Sequence, residues 1–484
     1  MSALADLAQS LNNAASVAKS PHSDQSPKIV LGEGATFLEA LTSASSKAKP
    51  GKHVTDAGIT PPVPVSLDDT GIAAASIEQL VVKYLYFRGD LLGRDIAVLL
   101  GMQFSLIDDL LESLKRNHVV GVRKSLGMGN SSGVFFLTDA GGATAREYLE
   151  NNQYAGPVPV PLYQYVEVVK RQKLTNNWLN PISLEQAFSH LVVESDIMEK
   201  IGPAVNSNKS FLIYGQPGNG KTALAEALFR VDTASIYMPY AIECQGNIIQ
   251  VYDPIYHQKI EEAEPSILSM SEELGYDRRW FKCKRPFIVT GGELKLEMLE
   301  LSYNSVSKIY DAPFQVKANN GIYLIDDFGR QKASPAEILN RWIVPMEKHV
   351  DYLNFMAGGK MTVPFEAFLI FSTNLNPHQL GDEAFLRRIQ YKMFLRSPNR
   401  AEFILIFERF ATSMQLQCPP GLADEFLKRH YEPNGKKMRR CHPRDLISHA
   451  IDVMNFENLP KELNQDVLDQ AFSSCFVDNV DVND

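Results

Sequence analysis

The chain has 484 residues, 45% hydrophobic and 22% charged, which excludes a collagen-like or globally disordered polymer. Its 48 basic against 57 acidic side chains give a net charge of −9, which excludes a protein coated in nucleic-acid-binding charge. Five scattered cysteines without a Cys-x-x-Cys pair, no bilayer-length apolar run and no basic-then-apolar leader predict a soluble, cytoplasmic protein without a membrane span.

Residues 1–70 are rich in Ala, Ser and Pro and predict a flexible tail, with Leu4, Leu7 and Leu11 spaced for one helical face. Residues 71–150 predict helices over 77–87, 94–100 and 105–117. Two β-segments follow, 119–124 and 133–138, joined by Gly127-Met128-Gly129-Asn130-Ser131-Ser132. Three helices and a hairpin resemble a winged helix-turn-helix, whose third helix normally enters the major groove. Here that helix carries Asp108, Asp109 and Glu112, and the segment holds eight Lys/Arg against nine Asp/Glu. With no excess of cations to displace phosphate counterions, a protein contact is favoured over DNA. Pro-rich 151–180 predicts a linker, 181–398 an α/β core, and 399–484 a helical lid with a C-terminal tail.

In the core, Phe211-Leu212-Ile213-Tyr214 is a buried-strand pattern. It runs into Gly215-Gln216-Pro217-Gly218-Asn219-Gly220-Lys221-Thr222 and a helix from Ala223. This G-x-x-x-x-G-K-T in a strand–loop–helix setting turns backbone N–H groups toward phosphates at a helix N-terminus. Lys221 would reach the β- and γ-phosphates, and Thr222 would ligate Mg²⁺. Ile322-Tyr323-Leu324-Ile325 then ends in Asp326-Asp327; Asp326 would complete the Mg²⁺ shell and Asp327 would polarise the attacking water. Ala367–Thr373 is a further buried strand, ending at Asn374. Asp382-Glu383-Ala384-Phe385-Leu386-Arg387-Arg388 and His442-Pro443-Arg444-Asp445-Leu446 follow.

Taken in order, these motifs resemble an AAA+ ATPase over roughly residues 180–477. The resemblance implies a P-loop α/β core with a helical lid, binding ATP and Mg²⁺ through 215–223 and Asp326. It makes Asn374 sensor 1, Arg387 or Arg388 an arginine finger acting on a neighbouring subunit, and Arg444 sensor 2. A homo-oligomeric ring, commonly a hexamer, is implied with them. Asp351–Phe355 and Met361–Phe365 flank Gly358-Gly359 and read as a hairpin ahead of Asn374. A hairpin there is similar to the pre-sensor-1 group, which includes enhancer-binding activators, MoxR-like chaperones and branch-migration helicases. Bacterial AAA ATPases with an N-terminal winged helix are also similar around Asp327-Phe328-Gly329-Arg330-Gln331.

Two departures stand out. Asp327 replaces the usual Glu, one methylene shorter, which puts fast hydrolysis in doubt. Between Lys221 and Asp326 the interval is long: Ile236–Pro254 reads as a strand pair, Glu261–Glu273 as an acidic run and Leu294–Leu301 as a helix. No Gly-Ala-Phe-Thr-Gly-Ala loop is present, which lowers the activator reading. Lys436-Lys437-Met438-Arg439-Arg440 is the strongest basic run and has no assigned role; Trp178, Trp280 and Trp342 read as packing residues. The sequence therefore predicts an ATP-hydrolysing ring that remodels a protein partner. A DNA-acting motor or transcription regulator and a nucleotide-dependent scaffold with little turnover are the alternatives.

Overall fold

The computed structural model describes residues 60–125, 129–173, 179–207, 209–231, 234–261, 275–381, 386–433 and 435–475. The Leu4/Leu7/Leu11 face, Trp178, most of the 261–273 run and residues 382–385 lie outside them.

The N-terminal module comprises α1 (Ala74–Arg88), β1 (Leu91–Leu92), α2 (Gly93–Leu100), α3 (Phe104–Arg116), β2 (Val120–Ser125), β3 (Gly133–Leu137) and α4 (Asp139–Asn151). Its strands form an antiparallel β1-β3-β2 sheet. Leu106, Ile107, Leu110, Leu111 and Leu114 put the apolar stripe of α3 into a core with Ile77, Leu80 and Phe135.

Residues 60–70, expected within a flexible tail, are held in place. The Arg279 guanidinium, 1% exposed, pairs with Asp277 at 2.8 Å and donates to Thr70 O at 2.7 Å, and Asp277 N donates to Pro61 O at 3.1 Å. The 151–180 segment, expected as a linker, contains β4 (Val160–Pro161) and α5 (Leu162–Arg171), which buries Tyr165, Val168 and Val169. Burying these side chains anchors the segment where composition alone suggested a tether.

Next come α6 (Pro181–Phe188), α7 (Ser195–Asn206), β5 (Phe211–Tyr214) and α8 (Lys221–Phe229), followed by a β-rich insertion. This contains β6 (Ile236–Pro239), β7 (Ala241–Cys244), β8 (Asn247–Gln250) and β9 (Trp280–Cys283). After β10 (Phe287–Thr290) it continues as β11 (Ser302–Asn304) and β12 (Ile309–Asp311). The sheet order is β11-β12-β8-β7-β4, and β6 pairs with β9. The expected strand pair over 236–254 is thus three strands, one of them claimed by a distant partner. The expected helix over 294–301 is a 3₁₀ turn, Leu296–Leu299, because pairing of Ser302 with Asp311 draws the chain into β11.

The core continues with α9 (Phe314–Lys317), β13 (Ile322–Ile325), α10 (Pro335–Lys348), β14 (Val350–Asn354), β15 (Lys360–Pro364), β16 (Phe368–Thr373) and β17 (Tyr391–Phe394). Its main sheet, β10-β13-β16-β5-β17, is wholly parallel. Its three central strands, β13, β16 and β5, are buried apolar runs, as a sheet covered on both faces requires. The expected hairpin is β14–β15; its Leu353, Met361 and Val363, with the adjoining Phe355, pack into the insertion's core. Four helices close the chain: α11 (Arg400–Ser413), α12 (Leu422–His430), α13 (His442–Glu457) and α14 (Gln465–Cys475). Trp280 and Trp342 are both buried.

Candidate functional site

Parallel strands deliver their C-terminal ends to one edge of a sheet, which is where such folds collect polar side chains. At that edge β5 turns into the 215–220 loop. Gly215 has φ 150°, and a Cβ there would stand 2.4 Å from Leu395 O; Gly218 has φ 78°, and a Cβ would stand 2.6 Å from Cys441 Sγ. Only glycine fits both. Asn219 is buried, donating to Leu395 O and Ser397 Oγ at 3.3 Å each.

Lys221 opens α8 with its ammonium folded back into the loop. Nζ donates to Gly215 O and Gln216 O, at 3.1 Å each, and to Asn374 Oδ1 at 2.6 Å. Burial pushes its pKa below the usual lysine value, against the opposing pull of Asp326 and Asp327. Thr222 Oγ1 donates to Asp326 Oδ2 at 2.7 Å, joining the helix after β5 to the end of β13. Asn374 Nδ2 donates to Asp327 Oδ1 at 2.7 Å, so one amide bridges Lys221 and Asp327.

Asp327 sits at φ 48°, in a region costly for most side chains. The turn is held on several sides. Gln331 Nε2 donates to Asp326 O at 2.8 Å while its Oε1 accepts from Gly329 N at 2.7 Å. Phe328, fully buried against Phe371, bonds through its backbone to Ser372 O and the Thr373 hydroxyl. Nothing in the local sequence of Asp327-Phe328-Gly329-Arg330-Gln331 signals this bracing role of Gln331.

A cleft of about 820 Å³ is lined by Pro217–Ala223, Asp326, Asp327, Asn374 and Arg444, with Val192, Val193, Ile406 and Phe410 forming an apolar end. Arg444 pairs with its neighbour Asp445 at 3.1 Å and stays 65% exposed. Three further residues of the last helical region meet the site. Cys441 N donates to Gly218 O at 2.9 Å, and Arg439 approaches Gln216 Oε1 at 3.4 Å. Arg440 donates to Val192 O and to Glu194 Oε1, in a square completed by Arg396 and Glu402. The basic run signalled these arginines; nothing local signalled Glu194, 246 residues away.

Arg387 and Arg388 are elsewhere. They line a second cleft of about 670 Å³ with Lys209, Ser210, Glu347 and His349, at the N-terminal ends of β5 and β16, and Arg388 Nε pairs with Glu347 at 2.9 Å.

Strand, glycine loop, helix and the hydroxyl–carboxylate contact together define a phosphate-loop arrangement on a mixed α/β fold with a parallel main sheet. Among known families, a domain of unknown function (DUF8689) matches residues 399–474, the closing helices. No curated protein matches the chain. Among solved structures, NtrX from Brucella abortus is 12% identical with a TM-score of 0.36, covering 59% of this chain and 56% of its own. The RuvB Holliday junction branch migration motor of Thermotoga maritima is 14% identical with a TM-score of 0.34, covering 60% and 73%. Among the described residues no helix is long and apolar enough to cross a membrane.

Proposed function

We propose that this chain is an ATP-hydrolysing AAA+ ATPase that acts as a homo-oligomeric ring, hexameric in the common pattern, and remodels a protein partner. The observation that carries the reading is the 2.7 Å contact between Thr222 and Asp326, beside a lysine already bridged to Asp327 by Asn374. The donor set fits ATP and Mg²⁺. Glycines that no side chain could replace line the loop, and the hard oxygens of Thr222 and Asp326 are the one or two protein ligands Mg²⁺ takes beside phosphate. Bound ATP–Mg²⁺ would supply the phosphoanhydride and the metal's charge. Lys221 would neutralise the terminal phosphates, and Asp327, aimed by Asn374, would take the proton of the attacking water. Arg444 would report the phosphates to the closing helices, while Arg387 or Arg388 would serve a neighbouring subunit. Asp326→Asn should keep the fold and lose Mg²⁺-dependent ATP turnover in a phosphate-release assay; an active variant would refute the metal assignment.

The protein-facing reading of the N-terminal module draws support from Asn130, whose Nδ2 donates to both Asp108 and Glu112 at 2.8 Å. That contact lays the turn before β3 over the acidic side of α3, the helix a DNA reader would offer to the groove.

A further inference from the structure

The inserted β-module carries an aromatic box that the phosphate cleft does not use. Tyr240 follows β6, Tyr252 follows β8 and Phe281 lies in β9. Their rings cross at 61° (Tyr240–Tyr252), 60° (Tyr240–Phe281) and 73° (Tyr252–Phe281), with centroids 5.4, 5.0 and 4.8 Å apart. Lys259 fills the box. Its Nζ lies 4.1 Å from the Tyr252 centroid, 4.4 Å from Tyr240 and 5.4 Å from Phe281, and donates to Tyr240 Oη at 2.9 Å. An ammonium within about 6 Å of a ring is attracted by the negative π face, and several rings around one cation are the usual cage for alkylammonium groups.

The backbone does not need that side chain. Ile260 N donates to Lys282 O at 3.0 Å and Lys284 N to Gln258 O at 3.1 Å, so 258–260 runs paired along β9 whatever residue 259 carries. Phe281 is buried, whereas Lys259 is exposed, so the cation enters from the solvent side on a flexible four-carbon stem. A large apolar side chain in the turn ahead of Lys259, Ile255, stands 79% exposed.

We propose that the Tyr240–Tyr252–Phe281 box docks the lysine side chain of a protein partner, with Lys259 as the intramolecular stand-in that the partner's lysine displaces. The box itself selects an alkylammonium. Ile255 makes the occupant a peptide, because it offers contact to an apolar residue beside its lysine. The proposal stands apart from the nucleotide reading, since none of these residues lines the phosphate cleft.

The test is calorimetric titration of the full chain with acetyl-Leu-Lys-Leu-amide, its norleucine analogue and n-butylammonium. Lys259→Ala should bind the lysine peptide at least about tenfold tighter than the wild type does, and tighter than it binds the other two. Adding Tyr252→Ala to Lys259→Ala should remove that gain. Equal peptide affinity in wild type and Lys259→Ala would overturn the stand-in role. Equal affinity for the norleucine peptide would overturn the ammonium site, and equal affinity for n-butylammonium would overturn the peptide occupant. Should Lys259→Ala melt early, Lys259→Gln serves with the same readings.

Discussion

The two edges of the parallel sheet hold charge in different ways. At the C-terminal edge, groups from three strand ends bond to one another: Lys221 to Asn374, Asn374 to Asp327, Thr222 to Asp326. At the N-terminal edge, Arg387 and Arg388 line an open cleft, and Arg388 pairs with Glu347 on α10. Four-residue strands place these edges roughly 13 Å apart. The contrast teaches that the first edge closes on itself through its own hydrogen bonds, whereas the second sets an arginine–carboxylate pair beside an open cleft.

The largest expected effect breaks the first edge. Lys221→Ala should weaken ATP binding roughly hundredfold or more, about 3 kcal/mol, because the phosphates lose a buried counter-charge. Calorimetry checks this, and unchanged affinity would remove the loop from the nucleotide site.

The second edge should respond in turnover rather than in binding. Alanine at Arg387 or Arg388 should leave ATP affinity intact and, for whichever residue is the finger, lower turnover by about 10³. Mixing that variant with Lys221→Ala subunits should restore part of the activity, since the two lesions then fall at different interfaces. A monomer with full activity, seen by light scattering beside the ATPase assay, would refute the assignment.

A smaller effect is expected where the closing helices meet the core. Arg440→Met leaves Glu194 and Glu402 with Arg396 alone, at a cost on the order of 2 kcal/mol. Burial, with the nearby Glu402 adding to it, already lifts the Glu194 pKa above the usual carboxylate range. Thermal melting should fall, and turnover should fall further than ATP affinity, because Cys441 on the loop next to Arg440 touches Gly218.

The smallest effect is one of pH. Burial first, then Arg439, hold His442 down to about 4 from 6.5. The unfolded chain therefore gains a proton between those values that the folded chain refuses. The resulting stability is fully present above pH 6.5 and declines as pH falls toward 4. His442→Gln should lose less thermal stability between pH 7 and pH 5 than the wild type does; an equal loss in calorimetric scans would place the acid sensitivity elsewhere.

Much of the first edge was legible in sequence, and for a local reason. Phe211–Tyr214, the glycine loop and Lys221-Thr222 are consecutive, so apolar run, turn chemistry and helix start read in a single window. Asp326 and Asn374 were legible because each ends a buried apolar run, and a parallel sheet brings such ends to one edge. Composition misled over 60–70 and 151–171: few apolar residues are enough when Arg279, more than a hundred residues on, supplies the anchor.

By itself, then, the sequence determined the strand–loop–helix unit and the acidic and amide strand ends that face it, because those follow from periodicity and backbone freedom within short windows. Only the tertiary structure decided that Arg388 lies at the opposite edge, that Arg440 closes a square with Glu194, and that Lys259 stands inside three rings from separate parts of the insertion. Those contacts join residues from seven to 246 positions apart. They depend on how packed surfaces complement one another, which no single stretch of chain encodes.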